Sequence, residues 1–585
     1  MDLFGVLTML GGLALFLYGM NAMGDGLAKL SGGKLEKILE KLTSNLFMSV
    51  LLGAGVTAVI QSSSATTVMV VGFVNSGMMN LTQAVGVIMG ANIGTTITSW
   101  ILSLSGIEGG NLFTNLLKPS SFTPVLAVIG VIFIMYCKKE NKKDIGNILI
   151  GFAILMTGME MMSGAVAPLG KNPTFRNLLV VFENPVFGML AGAILTAIIQ
   201  SSSASVGILQ AFSKTGSLTF GSAIPVIMGQ NIGTCVTAII SSIGASKNAK
   251  RAALIHLYFN IIGTVLFMVV FYSINFFVHF EFLSSAINKP SIAVIHTSFN
   301  IVATLVLLPF SRFLVKLATL SIKDGKKKDT NKDFMLLDNR FLDKPSFAIE
   351  QSMNVTKDMA QLSKTCLHKA IGLLDKYDNN VADEIKELED RIDHYEDELG
   401  TYLVKISGKS LSEKDSRKLS TMLHVIGNFE RISDHAVNIM EAAKEMNEKK
   451  MSFSKAAKDE LTIFTGAIFD IVDNTVQVFD TFDVEHAKMI EPLEEAIDDL
   501  NVELKNRHIQ RLTNNECTIE LGFVLSDITT SYERIADHCS NVAVCIIQVS
   551  EDGYDTHEYL DNIKSGNNEE FKILYSGYKS KYMLP

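Results

Sequence analysis

Between Leu42 and Ile107 the chain runs for 66 residues without one Lys, Arg, Asp or Glu, and residues 184–213, 215–246 and 252–280 are equally bare. A helix facing water keeps a charged side. A charged side chain at a bilayer centre costs about 2.5–3.5 kcal/mol on insertion scales. The pattern therefore predicts membrane helices. Residues 3–20 or so carry no basic leader and follow Asp2, so they read as the first membrane helix and not as a signal peptide. Basic residues gather between the spans, at Lys29 to Lys41, Lys138-Lys139 with Lys142-Lys143, Lys247 to Arg251, and Lys323 to Lys328. The last cluster leads into a polar half, which the positive-inside rule places in the cytoplasm. From residue 346 to 550 the apolar positions recur at helical spacing with few Gly or Pro and no strand alternation, predicting soluble helix bundles.

Composition sharpens the same division. Residues 1–312 hold 17 Lys/Arg and 10 Asp/Glu, whereas residues 313–585 hold 34 and 50. The predicted fold class is all-α. A polytopic membrane domain over 1–312 comprises repeat 1 (about 1–140), repeat 2 (about 141–280) and an extra helix (about 290–312). A linker over 313–345, a helical domain over 346–550 and a weakly ordered tail over 551–585 follow. Collagen, a disordered chain and a disulfide-stapled secreted domain are excluded, and nothing marks a nucleic-acid binder. Six scattered Cys without a CxxC pair suit a reducing compartment.

The membrane half is duplicated. Gln61–Thr98 aligns without a gap on Gln200–Thr237, with 17 identities in 38 positions. QSSSA recurs at Gln61–Ala65 and Gln200–Ala204, and IMGANIGT at Ile88–Thr95 answers IMGQNIGT at Ile227–Thr234. Two such halves, commonly of inverted topology, mark secondary transporters. The QSSS runs are flanked by apolar runs of 15 and 10 residues in repeat 1 and of 14 and 9 in repeat 2. All are shorter than the roughly 20 residues of a span. Paired short segments point to a transport site at the midplane, and re-entrant hairpins with meeting tips would fit.

Three hydroxyls at a helix start, with free backbone N–H groups, make an anion cradle. Gln and Asn carbonyls with Ser and Thr oxygens are hard ligands for a small cation. No Lys or Arg lies inside either polar run. A bare oxyanion there would be very costly, and a helix N-terminus supplies only about half a charge. Cations bound alongside would supply the rest, so the chemistry suggests cation–anion symport. Packing of small polar residues between helices is the competing explanation of these runs.

QSSSA followed by MGANIGT, in duplicate, resembles the bacterial sodium–phosphate cotransporter family, relatives of the type II sodium–phosphate carriers. The resemblance covers about residues 1–312. It implies a sodium-coupled phosphate carrier in which Gln61, Ser62, Ser63 and Ser64, with Gln200, Ser201, Ser202 and Ser203, form the substrate and sodium sites. Asn92, Thr95, Asn231 and Thr234 should complete the shell. Some members of the family are held to export phosphate. Glu160, inside the apolar stretch Ile145–Ala167, is a weaker candidate for a cation or proton ligand. His256 and His296 each precede an Asn by four residues, HLYFN and HTSFN, a spacing that suits interhelical hydrogen bonds.

The soluble half is a second duplication. ERISDHAVN at Glu430–Asn438 recurs as ERIADHCSN at Glu533–Asn541, and Glu389/Asp393 match Glu494/Asp498. Each pair sets two acids four residues apart on one helix face, a mildly destabilising arrangement. Such carboxylates can hold metal ions between helices, or face solvent and pair with Arg431 and Arg534. The repeats resemble PhoU domains, the cytoplasmic regulators of phosphate uptake. That likeness implies Glu389, Asp393, Glu430, Asp434, Glu494, Asp498, Glu533 and Asp537 as ligands of a divalent or iron cluster.

The expectation is a multi-pass inner- or plasma-membrane symporter for inorganic phosphate and sodium, its C-terminal domain cytoplasmic, with room for a homodimer. A membrane-anchored phosphate sensor with little flux, a carrier of another oxyanion and an exporter are the alternatives. No Walker loop, GxSxG or zinc-spaced His/Cys cluster occurs, so no enzyme is expected.

Overall fold

The computed structural model describes residues 3–31, 45–106, 119–323, 336–514, 516–550 and 569–585. They form two compact units, Met1–Thr330 and Asn331–Pro585. The described residues are helical with short connections, and the only β-type pairing among them is an isolated bridge between Thr219 and Ala286.

The first unit contains α1 (Leu3–Ser31), α2 (Leu46–Ile60), α3 (Ser63–Asn75), α4 (Leu81–Ser103), α5 (Pro119–Tyr136), α6 (Glu140–Val166), α7 (Pro173–Val181), α8 (Pro185–Ile199), α9 (Ser202–Ser213), α10 (Phe220–Ser241), α11 (Lys247–Val278), α12 (Lys289–Leu307) and α13 (Ser311–Ser321). Among the described residues, six segments are long and apolar enough to cross a membrane. On α11 the side chains of Val269, Phe276 and Phe277 are 60%, 74% and 79% exposed, an arrangement suited to hydrocarbon and costly in water. Lys34, Lys37, Lys41 and Lys326 to Lys328, from the basic clusters, lie outside the described residues.

The duplication is visible element by element. Helices α2, α3 and α4 match α8, α9 and α10, down to the caps. Asn45 and Asn184 cap α2 and α8, Ser62 and Ser201 cap α3 and α9, and capping boxes start α4 at Asn80 and α10 at Thr219. Each such cap contributes about 1 kcal/mol. The motif glycines are explained by close packing. A Cβ on Gly90 would sit 2.0 Å from the Val50 carbonyl oxygen, and one on Gly229 would sit 1.9 Å from that of Met189. A core of Phe16, Leu155, Met159, Met162 and Ala204 forms where α1, α6 and α9 meet.

The second unit contains α14 (Pro345–Asp375), α15 (Asn379–Ser407), α16 (Glu413–Glu448), α17 (Lys455–Thr481), α18 (Val484–Ala487), α19 (Ile490–Thr513), α20 (Ile519–Ser550) and α21 (Glu569–Lys581). Helices α14, α15 and α16 pack as one three-helix bundle, α17, α19 and α20 as another, and α16 joins α20.

Two boundaries differ from the sequence reading. Helix α13 continues to Ser321, into the stretch expected to be linker, because Leu314 and Ala318 are fully buried. The sequence predicts a weakly ordered tail, yet α21 docks on α19, and Tyr582 and Leu584 are buried. Residues 551–568 lie outside the described residues.

Candidate functional site

Each QSSS run sits at a break between two short helices. Gln61 ends α2 with φ 60° and Gln200 ends α8 with φ 58°. Left-handed backbone at a residue other than glycine costs of order 1 kcal/mol and gathers at functional sites. Ser62 and Ser201 then start α3 and α9, their hydroxyls accepting 3.2 Å hydrogen bonds from the Ala65 and Ala204 amides. The amides that open a helix have no intrahelical acceptor, so two positively polarised helix ends present N–H groups beside serine hydroxyls.

The two breaks meet, with the Ser64 hydroxyl donating to the Gln200 carbonyl across 3.5 Å. Ser63, Ser202 and Ser203 are buried. The equivalent glutamines differ in state. Gln61 is buried and its Oε1 accepts from the Thr98 hydroxyl at 2.9 Å. Gln200 is exposed, and the matching Thr237 hydroxyl has no hydrogen-bond partner among the described residues.

The NIGT residues lie on α4 and α10, packed against these breaks. Asn92 donates to Asn260 of α11 and Asn231 to Asn300 of α12, both at 3.4 Å. Thr95 and Thr234 are buried and donate to carbonyls one turn back, those of Ala91 and Gln230. His296 Nδ1 lies 2.7 Å from the Ser99 hydroxyl, an interhelical bond of the kind its spacing suggests. Glu160 lies at the wall of a cavity that Lys214 and the buried Lys289 also line. Lys289 carries no signal in the sequence, because it stands in a short polar loop that reads as the edge of a span.

In the second unit the acidic pairs form two groups. Ligand oxygens of Glu494, Asp498 and Asp537 lie within 4.8 Å of one another. Glu533, expected beside them, instead accepts from Asn501 and lies 3.9 Å from Lys505. In the other repeat, burial and then the neighbouring Asp434 carboxylate push Glu430 up to about 7. Burial, then Asp434, Asp390 and Asp393, also raises Glu389. Such crowding of acids is what a bound cation would relieve.

Comparison with known proteins gives the same two parts. The family model described as Na+/Pi-cotransporter matches residues 15–164 and 157–288, and the PhoU domain model matches 356–443 and 466–546. YjbB of Escherichia coli, a candidate inorganic phosphate export protein by name, is 24% identical over 563 residues, covering 95% of this chain and 99% of its own. The Bacillus subtilis protein YqeW, uncharacterised by name, is 31% identical over 310 residues, 52% of this chain and 95% of its own. Sodium-dependent phosphate transport protein 2A of the rat is 23% identical over 380 residues, 44% of this chain and 60% of its own. Of these relatives, the Escherichia coli and rat proteins are named for phosphate export and transport, and none is named as an enzyme. With six membrane-length apolar segments and duplicated QSSS and NIGT motifs, the chain belongs to the Na+/Pi-cotransporter family and carries a C-terminal PhoU domain.

Proposed function

We propose that this protein moves inorganic phosphate together with sodium across the inner or plasma membrane. The two QSSS breaks form one central site, and the PhoU domain, on the cytoplasmic side, tunes the flux. The observation that carries this reading is the meeting of the two breaks at Ser64 and Gln200, inside stretches that contain no Lys or Arg. The opening amides and hydroxyls of α3 and α9 would hold phosphate oxygens. The side-chain oxygens of Gln61, Gln200, Asn92, Asn231, Thr95 and Thr234 would hold sodium. Without sodium the anion faces only two half-charges from helix ends.

Support for inverted repeats comes from which ends come together. At the C-terminal end of α4, Ser105 meets Lys289 at the start of α12. For the equivalent α10 it is the N-terminal Phe220 that meets the same region, through the Ser285 carbonyl. An inverted arrangement would have the equivalent helices run in opposite senses, with access to the shared site alternating as one repeat moves against the other. The unlike states of Gln61 and Gln200 agree with a protein that is closed on one repeat and open on the other.

Export of phosphate is the second reading, favoured by the name of the Escherichia coli relative that aligns over nearly its whole length. Reversing the sodium gradient across preloaded vesicles separates the two directions. In the second unit, Glu494, Asp498 and Asp537 would hold a divalent or iron ion. When bound, such an ion supplies the positive charge that neutralises the crowded carboxylates.

The test is uptake of radiolabelled phosphate by proteoliposomes. Ser63→Ala and Ser202→Ala should each lower it about 10- to 100-fold, the loss of one hydrogen bond to a charged group. Wild-type rates in both variants would overturn the site.

A further inference from the structure

A cavity of about 690 Å³ opens at the end of the first unit where α12 begins, lined by Lys214, Lys289, Glu160, Ser105, Ser163 and Asn288. Lys289 is only 6% exposed, and its ammonium donates to the hydroxyls of Ser105 at 2.9 Å and Ser163 at 3.1 Å. No carboxylate of the described residues lies within ion-pair distance of it. An ammonium taken out of water without a counter-charge costs several kcal/mol, and two neutral hydroxyls do not offset that. Among the described residues the lining carries the ammonium groups of Lys289 and Lys214 and one carboxylate, that of Glu160. A lysine that merely snorkels would hold its head in water; this one is buried, at the wall of a chamber of ligand size.

We propose that this cavity is a second oxyanion site, an antechamber that holds inorganic phosphate before or after it occupies the QSSS breaks. The proposal rests on the transport reading and gives it a place where phosphate first loses water. Lys214 caps the C-terminal end of α9, whose N-terminal end carries Ser202 and Ser203, so the two sites lie roughly 18 Å apart along one helix. Lys289 supplies the charge, Ser105 and Ser163 aim it, and Glu160 limits how tightly the anion is held. That balance suits a way-station, which must release what it captures.

The experiment is the concentration dependence of radiolabelled phosphate uptake by the full-length protein in proteoliposomes. Lys289→Met should raise KM about tenfold, the loss of one charge-assisted contact, with the maximal rate held within twofold. Lys289→Arg should restore KM. Glu160→Gln should lower KM, an effect of opposite sign that misfolding does not produce. An unchanged KM in both Lys289→Met and Glu160→Gln, or a raised KM in Glu160→Gln, overturns the antechamber. Loss of flux in Ser202→Ala without a shift in the Lys289→Met KM would uphold the central site and defeat this one. Should the wild-type protein carry no phosphate, the transport reading falls. Equilibrium binding of inorganic phosphate would then decide the cavity, as weaker binding by Lys289→Met or as no difference.

Discussion

Gln61 and Gln200 hold a conformation that glycine would adopt without strain, and they hold it where the two repeats meet. Replacing Gln200 by Gly relieves the left-handed backbone and removes an exposed side chain. The Tm of Gln200→Gly, followed by intrinsic fluorescence or calorimetry, should equal or exceed that of the wild type while phosphate uptake falls about tenfold or more. A variant that is less stable and fully active would mean that the glutamine serves the fold and not the ion. At ε of about 20, a sodium ion roughly 4 Å from the anion would contribute about 4 kcal/mol, whereas a lysine at the far end of α9, roughly 18 Å away, would contribute less than about 1 kcal/mol. The lysine cavity would attract phosphate but could not replace a cation at the breaks. The serines and glutamines were legible because they stand identical in two places while the apolar positions around them drift. Lys289 was not, because its burial arises only when α4, α6 and α12 converge.

Among the elements, the short helices were the clearest reading of the chain. Apolar runs of 15 and 14 residues before the QSSS motifs became helices of 15 residues each, since hydrocarbon admits no charged turn and the Gln-Ser break supplies its own cap. The last helix was hidden, because its sequence is polar and its partners lie far away along the chain. Lys579 and Tyr575 bond Asp499, and Lys581 and Tyr582 bond Asp470. These exposed pairs contribute little alone, so burial of Tyr582 and Leu584 carries the docking. Truncation before Glu569 should lower the Tm of the second unit by about 5 °C, read by calorimetry; an unchanged Tm would mean that α21 is not held. Acid adds a check. Hydrogen bonds from Lys579 and Tyr575 hold Asp499 below its usual range. Burial works against Asp470, but Lys581 and Tyr582 outweigh it and lower that carboxyl too. Depressed carboxylates stabilise the folded state above their unfolded value and lose that contribution as pH falls through the folded one. The helix should therefore loosen as pH drops below about 4, visible as faster amide exchange in 569–581.

For the whole molecule, both duplications were readable because each repeats a chemical motif, QSSS or E-R-I-x-D-H-x-x-N, at a fixed offset. How each folded unit uses its motifs was less open to reading. The eight acids of the second unit do not gather in one cluster; the three of Glu494, Asp498 and Asp537 come closest, while Glu533 is drawn to Asn501 and Lys505. Iron or manganese added to chelator-treated protein should raise the Tm of the wild type and not that of Asp498→Asn; equal shifts would remove the metal site. Deleting residues 346–585 should leave sodium-dependent phosphate flux in place and alter only its control, because the QSSS breaks lie wholly in the first unit. On this reading a multiply charged oxyanion enters a site without arginine or lysine only in the company of alkali cations. Radiolabelled phosphate flux into proteoliposomes of purified protein, with sodium replaced ion for ion by choline at neutral pH, tests it directly. Flux that rises with sodium and collapses in choline is the expected result; equal flux in the two media would mean that phosphate crosses without a cation partner.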